Sequence, residues 1–171
     1  MNIKIIRSER KTMSLSVNDE LEAIVRAPLY AGDSDIESFV RKNEQWLVRA
    51  SEHKSRQLEK YASADFRLGE LVDKARAVIP EKVKHYSELM NLLPTGVKIT
   101  KAKKRFGSCS AKNSLCFSCY LMLYPTEAVD YVIVHELAHI KHRNHGKDFY
   151  ELIAGYMPDY KIRENMLKDT E

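Results

Sequence analysis

Apolar and polar residues alternate along the first part of the chain, which is the pattern of β-strands. The apolar positions form three runs, with Asn18-Asp19 as a turn signal between the second and the third: Ile3 and Ile5; Met13, Leu15 and Val17; Leu21, Ala23 and Val25. Successive side chains of a strand point to opposite faces, so this alternation predicts strands with one buried face. We expect a small antiparallel sheet within residues 1–30, including a β-hairpin.

Apolar spacings of three and four residues replace the alternation after Pro28 and predict helices. Asp33 or Ser34 can cap the first helix. Its apolar face comprises Ile36, Phe39, Val40, Trp46, Leu47 and Ala50, and Trp46 is expected in the core. A second helical pattern covers about 68–92, and Pro80 inside it predicts a break or kink, because proline lacks the N–H that the helix needs. The region 33–92 is therefore predicted to be helical.

Short strands and helices are predicted together in the region 96–171. The pattern indicates strands near 97–101 and 115–123, followed by a helix that begins near Pro125. This helix is apolar on nearly every face through Tyr131-Val132-Ile133-Val134, so we expect it to be buried. The whole pattern predicts an α+β fold, in which a small mixed or antiparallel sheet packs on the buried helix.

The size and composition of the chain favour one domain over residues 1–171. A chain of 171 residues with 44% hydrophobic content can bury one sizeable core. No run approaches the roughly 20 apolar residues that a membrane-spanning helix needs. The charged N-terminal segment lacks the apolar stretch of a signal peptide, which predicts a cytoplasmic protein.

The buried helix carries His135-Glu136-Leu137-Ala138-His139, the H-E-x-x-H pattern of zinc hydrolases. Residues i and i+4 lie one above the other on a helix, so His135 and His139 can bind one ion. Glu136 beside them is placed to take a proton from a metal-bound water. The motif therefore predicts a catalytic zinc site with Glu136 as the general base. The alternative interpretation is an ordinary helix with solvated or hydrogen-bonded histidines.

A catalytic zinc ion usually keeps three protein ligands, so a third ligand is required. His142 continues the same helical face, whereas His145 lies six residues after His139 and requires the chain to leave the helix. Asn144 and Gly146 tolerate the left-handed backbone conformations that often end helices. We therefore favour His145 as the third ligand and expect His142 at the helix end, either in solvent or beside the site.

A cluster of basic residues is the main feature of the charge distribution. The net charge of +4, from 28 basic and 24 acidic residues, otherwise indicates a solvated surface. Lys101, Lys103, Lys104 and Arg105 place four cations within five residues. They fit either an exposed strand edge protected by lysines or a binding surface for nucleic acid or a phosphorylated ligand.

Several of these segments together resemble the YgjP-like metallopeptidase family, which is related to the SprT-like and WLM zinc peptidase domains. The resemblance covers most of the chain. It is carried by the segments 103–109 and 130–139, by Asn144 and His145, and by Phe149. Two departures stand out. Phe106 replaces a frequent Trp, and the chain lacks a hairpin that longer members carry near 60–68.

This resemblance implies a zincin-like core, a bound Zn²⁺ ion and a peptide or protein substrate. It places the ligands and the base on residues already singled out, namely His135, His139, His145 and Glu136. We therefore expect a zinc-dependent peptidase.

Two other functions fit parts of the sequence. One is a metal-dependent phosphohydrolase acting on nucleotides, with Lys103, Lys104 and Arg105 holding the anion. Three imidazoles suit a transition metal better than magnesium, which weakens this alternative. The other is a nucleic-acid-associated module with structural zinc, which would need a fourth ligand. The sequence defines neither a substrate pocket nor an oligomeric state.

Overall fold

The structure is a computed structural model in which residues 2–168 are described. These residues form six α-helices, six β-strands and one 3₁₀ turn, which confirms the predicted α+β class. The elements are β1 (Ile3–Ser8), β2 (Ser14–Val17), β3 (Ala23–Pro28), α1 (Asp33–Lys42), α2 (Glu44–Asp65), α3 (Leu68–Met90), β4 (Gly96–Thr100), β5 (Gly107–Cys109), β6 (Ser114–Ser118), the 3₁₀ turn (Cys119–Leu123), α4 (Thr126–Lys141), α5 (Lys147–Tyr156) and α6 (Tyr160–Asn165).

The chain divides into two compact units, the first ending at Ala62 and the second beginning at Ser63. The boundary falls near the end of α2. Compact units of one chain can still fold together as one domain, so the single domain expected over 1–171 stays a prediction.

The first unit contains a three-stranded sheet in which β3 is the central strand. β2 and β3 form the expected antiparallel hairpin. The prediction of a wholly antiparallel sheet is wrong, because β1 pairs with β3 and runs parallel to it. β3 has the most buried residues of the three strands, which suits the central position, and Ile36 of α1 packs against its Val25 and Ala27.

Two details of the predicted helices differ from the structure. Asn43 separates α1 from α2, and its side-chain amide donates a hydrogen bond to the Phe39 carbonyl at 2.8 Å. Leu47 is buried, whereas Trp46, expected in the core, is 43% exposed. In addition, α3 continues through Pro80, and the predicted break is absent. Core residues on both sides of the proline, Ala75, Ile79, Val83 and Met90, offset the lost hydrogen bond.

The second unit contains a sheet of order β4-β6-β5, which packs around α4. β6 runs parallel to β4 and antiparallel to β5, so the sheet is mixed. The apolar run 115–123, predicted as one strand, instead forms part of β6 and the 3₁₀ turn. The sheet edge β5 packs against α4, as do α3, α5 and α6. The predicted burial of α4 is confirmed, since its residues from Ala128 to Val134 are all buried.

Asp130 connects α4 to two neighbouring helices. Its Oδ1 lies 2.6 Å from Lys82 Nζ on α3, and its Oδ2 lies 3.9 Å from Arg163 Nη1 on α6. The carboxylate is largely buried, so solvent screens these ion pairs less than pairs on the surface. This contact fixes α4, and with it the H-E-x-x-H motif, against the rest of the unit. Within residues 2–168, no helix is long and apolar enough to cross a lipid bilayer.

Replacing Asp130 is expected to destabilise the fold. Asp130→Ala leaves the Lys82 ammonium partly buried and unpaired, which should lower the free energy of unfolding by about 1–3 kcal/mol. The matched control is Asp73→Ala, which removes an exposed ion pair with Arg76 and should cost less than about 1 kcal/mol. Urea unfolding of both variants measures the difference, and equal stabilities would contradict the connecting role of Asp130.

Candidate metal centre

Three imidazoles converge at the C-terminal end of α4. His135 and His139 lie one helical turn apart on α4, and His145 reaches them from the segment that follows the helix. One ligand nitrogen from each histidine lies within 4.8 Å of the other two. The Nε2 atoms of His135 and His145 are 3.1 Å apart, close to the roughly 3.3 Å expected for two nitrogens bound tetrahedrally to one zinc ion. The donor set therefore fits a transition-metal ion.

Phe149 forms the apolar floor of this cluster. It is fully buried, and α5 directs its ring against all three imidazoles. The distances from its ring centroid to those of His135, His139 and His145 are 4.9, 4.6 and 4.8 Å. A ring in contact with three ligands restricts how far each imidazole can rotate.

Two hydrogen bonds orient the ligands on α4. His139 Nδ1 lies 3.0 Å from the backbone carbonyl oxygen of His142, to which it donates as Nδ1–H, so that its Nε2 remains for a metal. His135 Nδ1 lies 3.4 Å from the Tyr131 hydroxyl. Two nearby carboxylates are paired elsewhere, Asp130 with Lys82 and Glu151 with Lys147. Tyr131 could have been found from its position four residues before His135 on the same helical face.

The pKa values of the two histidines on α4 favour metal binding. Burial, followed by the neighbouring His139 and His145, lowers the pKa of His135 to about 4. Burial also lowers the pKa of His139. Both rings are therefore neutral at pH 7, and neutral imidazole is the form that binds metals.

Glu136 directly follows His135 on α4 and is only 6% exposed. Burial raises the pKa of its carboxyl group from the ordinary 4.5 to about 7, and the positive charge of Arg105 opposes part of this rise. β5 passes directly over the carboxyl group. A Cβ atom on Gly107 would lie 2.6 Å from Glu136 Cγ and 2.7 Å from Oε1, so only glycine leaves room for this side chain. No local pattern in the sequence marks this role of Gly107.

The family described as YgjP-like, metallopeptidase domain, matches residues 70–170, which is more than half of the chain. The chain belongs to the YgjP-like metallopeptidase family. The matched range contains α4, β5 and all three candidate ligands, and the resemblance inferred from the motifs is confirmed. Membership in this family implies a divalent metal and a peptide-hydrolysing activity.

Two solved structures of metallopeptidase zymogens are similar to this chain. Jannalysin of Methanocaldococcus jannaschii is 24% identical, and the similarity covers 52% of this chain and 92% of that one, with a TM-score of 0.47. Abylysin of Pyrococcus abyssi is 20% identical, covering 53% of this chain and 91% of that one, with a TM-score of 0.48. No curated protein matches the chain significantly.

The turn that carries the third ligand of this YgjP-like site differs from the prediction. α4 ends at Lys141, and His142 has an extended backbone with φ −124° and ψ 106°. Gly146 has φ −83°, and neither it nor Asn144 adopts the left-handed conformation. The chain therefore leaves the helix through extended residues. His142 lies at the helix end as expected, and its carbonyl oxygen is the part that contacts the site.

One residue of the basic cluster of this family member already has a partner. Lys103 forms an ion pair with Asp65, and its Nζ lies 5.5 Å from the centroid of the Tyr120 ring. The contacts with Lys103 and Tyr120 lower the pKa of Asp65. All four basic residues are exposed. The anion-binding surface stays a prediction, and Lys103 is the member already paired within the chain.

Adding a methyl group at Gly107 is expected to disturb the base. Gly107→Ala must displace Glu136 or β5, and overpacking of this kind typically costs about 1–3 kcal/mol. The control is Gly155→Ala on α5, where a Cβ meets nothing within 4 Å and alanine should stabilise the helix slightly. Thermal unfolding compares the two variants. The steric argument fails if both leave stability unchanged.

The buried carboxyl group should make the metal-free protein less stable at high pH. The folded-state pKa of Glu136 is raised, so the folded state holds the extra proton between pH 4.5 and 7, and stability is lost as pH rises through this range. Glu136→Gln removes the titrating group. It should raise the free energy of unfolding at pH 8 by about 3 kcal/mol relative to wild type, with no such gain at pH 4.

Urea unfolding of the metal-free proteins at the two pH values measures this difference. The matched control is Glu127→Gln, which changes an exposed glutamate in the first turn of the same helix and should shift stability by less than about 1 kcal/mol. A gain of similar size at both pH values would contradict the titration of Glu136.

Proposed function

We propose that the protein is a zinc-dependent peptidase in which Glu136 acts as the general base. The observation that carries this proposal is a cluster of three histidines whose member His135 is directly followed on α4 by the buried Glu136. Within residues 2–168, the cluster offers three ligands, which matches the number that catalytic zinc sites use while one position stays open. His145 is exposed, so the cluster is accessible from solvent.

The ligand assignment follows from the donor atoms. His135, His139 and His145 would hold the ion, and three imidazole nitrogens suit zinc or another transition ion rather than magnesium. When bound, zinc would supply a Lewis acid for the substrate carbonyl and would make a water molecule acidic enough to lose a proton near pH 7.

Glu136 would move the proton in this reaction. A carboxyl group with a pKa of about 7 can accept a proton near neutral pH and then return it to the amine that leaves. The Glu136 side chain packs directly against the backbone of Gly107, which restricts the position of its carboxyl group. This packing would hold the base in place.

The geometry of β5 supports a peptide as the substrate. Among the described residues, β5 pairs only with β6 and forms an edge of its sheet. Phe106 and Ser110 form backbone hydrogen bonds with the β6 side, and Ser108 lies opposite Cys116 between them. In an antiparallel pair, the backbone groups of the alternate residues, Gly107 and Cys109, then point to the free edge. An extended peptide could bind there through its own backbone, next to Glu136.

The two alternative functions have weaker support. A phosphohydrolase would use Lys103, Lys104 and Arg105 for its anion, but Lys103 is already paired with Asp65. A nucleic-acid module with structural zinc would need a fourth ligand, and the cluster within residues 2–168 has three. The cytoplasmic location expected from sequence stays a prediction.

The proposal is tested by comparing wild type with Glu136→Gln. Elemental analysis should find one zinc per chain in both proteins, because Glu136 is not a ligand. Hydrolysis is then measured on unfolded proteins, on a peptide library and on a nucleotide phosphate ester. Glu136→Gln should reduce peptide hydrolysis by about 10²- to 10⁴-fold, the usual contribution of a general base.

The Glu127→Gln variant provides the control, since it removes one carboxylate from the exposed first turn of α4. It should retain peptide hydrolysis within about twofold of wild type. Hydrolysis of the phosphate ester alone would support the phosphohydrolase instead. Undiminished peptide hydrolysis by Glu136→Gln would refute the proposed base.

A further inference from the structure

The segment 142–146, which joins α4 to α5, has few backbone contacts of its own. The His142 amide donates to the Ala138 carbonyl oxygen at 2.9 Å. Within residues 2–168, the backbone groups of Arg143, Asn144 and His145 form no hydrogen bond with another backbone group. This segment nevertheless provides the His145 imidazole and the carbonyl oxygen that orients His139. Something other than secondary structure must hold it.

The Arg143 side chain connects this segment to the turn between β5 and β6. Its Nη1 donates to the Ser110 carbonyl oxygen at 2.7 Å and approaches Cys109 Sγ at 3.4 Å. Its Nη2 donates to the Ala111 carbonyl oxygen at 3.3 Å and to Asn113 Oδ1. One guanidinium group thus contacts three residues of the turn and the last residue of β5. The planar group with fixed donors is suited to such a set of acceptors.

The β5–β6 turn is itself well fixed, so it can serve as an anchor. The Asn113 amide donates to the Ser110 carbonyl oxygen at 3.0 Å, and the Ser114 amide donates to Ser110 Oγ at 3.0 Å. Thr95 donates from its amide to the Asn113 carbonyl oxygen and from its hydroxyl to the Lys112 carbonyl oxygen. Asn113 has φ 60°, a left-handed conformation that asparagine tolerates well.

We infer that Arg143 is a positioning residue that holds His145 and the His142 carbonyl oxygen in the metal centre by fastening their segment to the β5–β6 turn. The inference rests on the proposed metal site and adds the element that preorganises its third ligand. The same turn continues into β5, which passes over Glu136. Arg143 therefore links the position of the third ligand to the strand that borders the base.

The experiment compares three variants with a control on the same turn. Arg143→Gln removes the charge and the forked donor. Arg143→Lys keeps the charge and loses the fork. Asn113→Gly keeps the left-handed backbone and removes one acceptor. The control is Lys112→Gln, which removes a cation from the same turn. The Lys112 side chain is exposed and forms no hydrogen bond or ion pair with residues 2–168.

The first measurement is the rate at which zinc leaves each protein in the presence of an excess of a chromophoric chelator. Arg143→Gln should release zinc about 10- to 100-fold faster than wild type, because losing outer contacts typically lowers metal affinity by that factor and affinity changes lie mostly in the dissociation rate. Arg143→Lys should restore only part of this difference, and Asn113→Gly should show a smaller increase. Lys112→Gln should match wild type. Release from Arg143→Gln within twofold of wild type would overturn the inference.

The second measurement needs neither metal nor substrate. Amide hydrogen exchange in the metal-free proteins should accelerate in Arg143→Gln within peptides that cover 141–150 and 107–114, while α3 stays protected. Uniformly faster exchange would indicate general destabilisation and would also overturn the positioning role. If wild type binds no zinc, the proposed function fails, and this exchange pattern still tests the Arg143 contact. If Arg143→Gln does not fold, Asn113→Gly carries both measurements.

Discussion

The free-energy cost of burying polar side chains on a helix is the main constraint on this structure. α4 is apolar on nearly every face, and it nevertheless carries His135, Glu136 and His139. A buried polar group is tolerated when it finds a partner or changes its protonation state. Here the histidines stay neutral and hydrogen-bond to Tyr131 and to the backbone, while the pKa of Glu136 rises. The same desolvation therefore keeps the candidate ligands in the neutral form that binds metals and raises the pKa of the proposed base.

Different elements around α4 fix this helix and surround the proposed metal centre. Asp130 ties the helix to α3 and α6, whereas Phe149 of α5 fills the space behind the imidazoles. The edge strand β5 covers the base on the other side through Gly107. The third ligand comes from an irregular segment, so its position depends on side-chain contacts rather than on helical geometry. In the proposed metal centre, secondary structure positions His135 and His139, and we infer that Arg143 positions His145.

The sequence predicted the parts of the site that follow from local periodicity. The i, i+4 spacing brought His135 and His139 together, and the need for a third donor selected His145. The contacts that depend on distant segments were not predictable in this way. Gly107 lies about 30 residues from Glu136 along the chain, and nothing in a single sequence marks that approach. The left-handed turns assigned to Asn144 and Gly146 were wrong, because tertiary contacts can hold an extended exit from a helix.

The close approach of Gly107 to Glu136 also has a consequence for comparing related chains. A Cβ atom at position 107 would collide with Glu136. The proposed base therefore requires glycine at this position of β5, whatever residues bind the metal. Under the proposed mechanism, a relative that kept all three histidines but carried a larger residue there would have its glutamate displaced. A residue other than glycine at this position is then expected to mark members of the family that bind a metal without hydrolysing peptides.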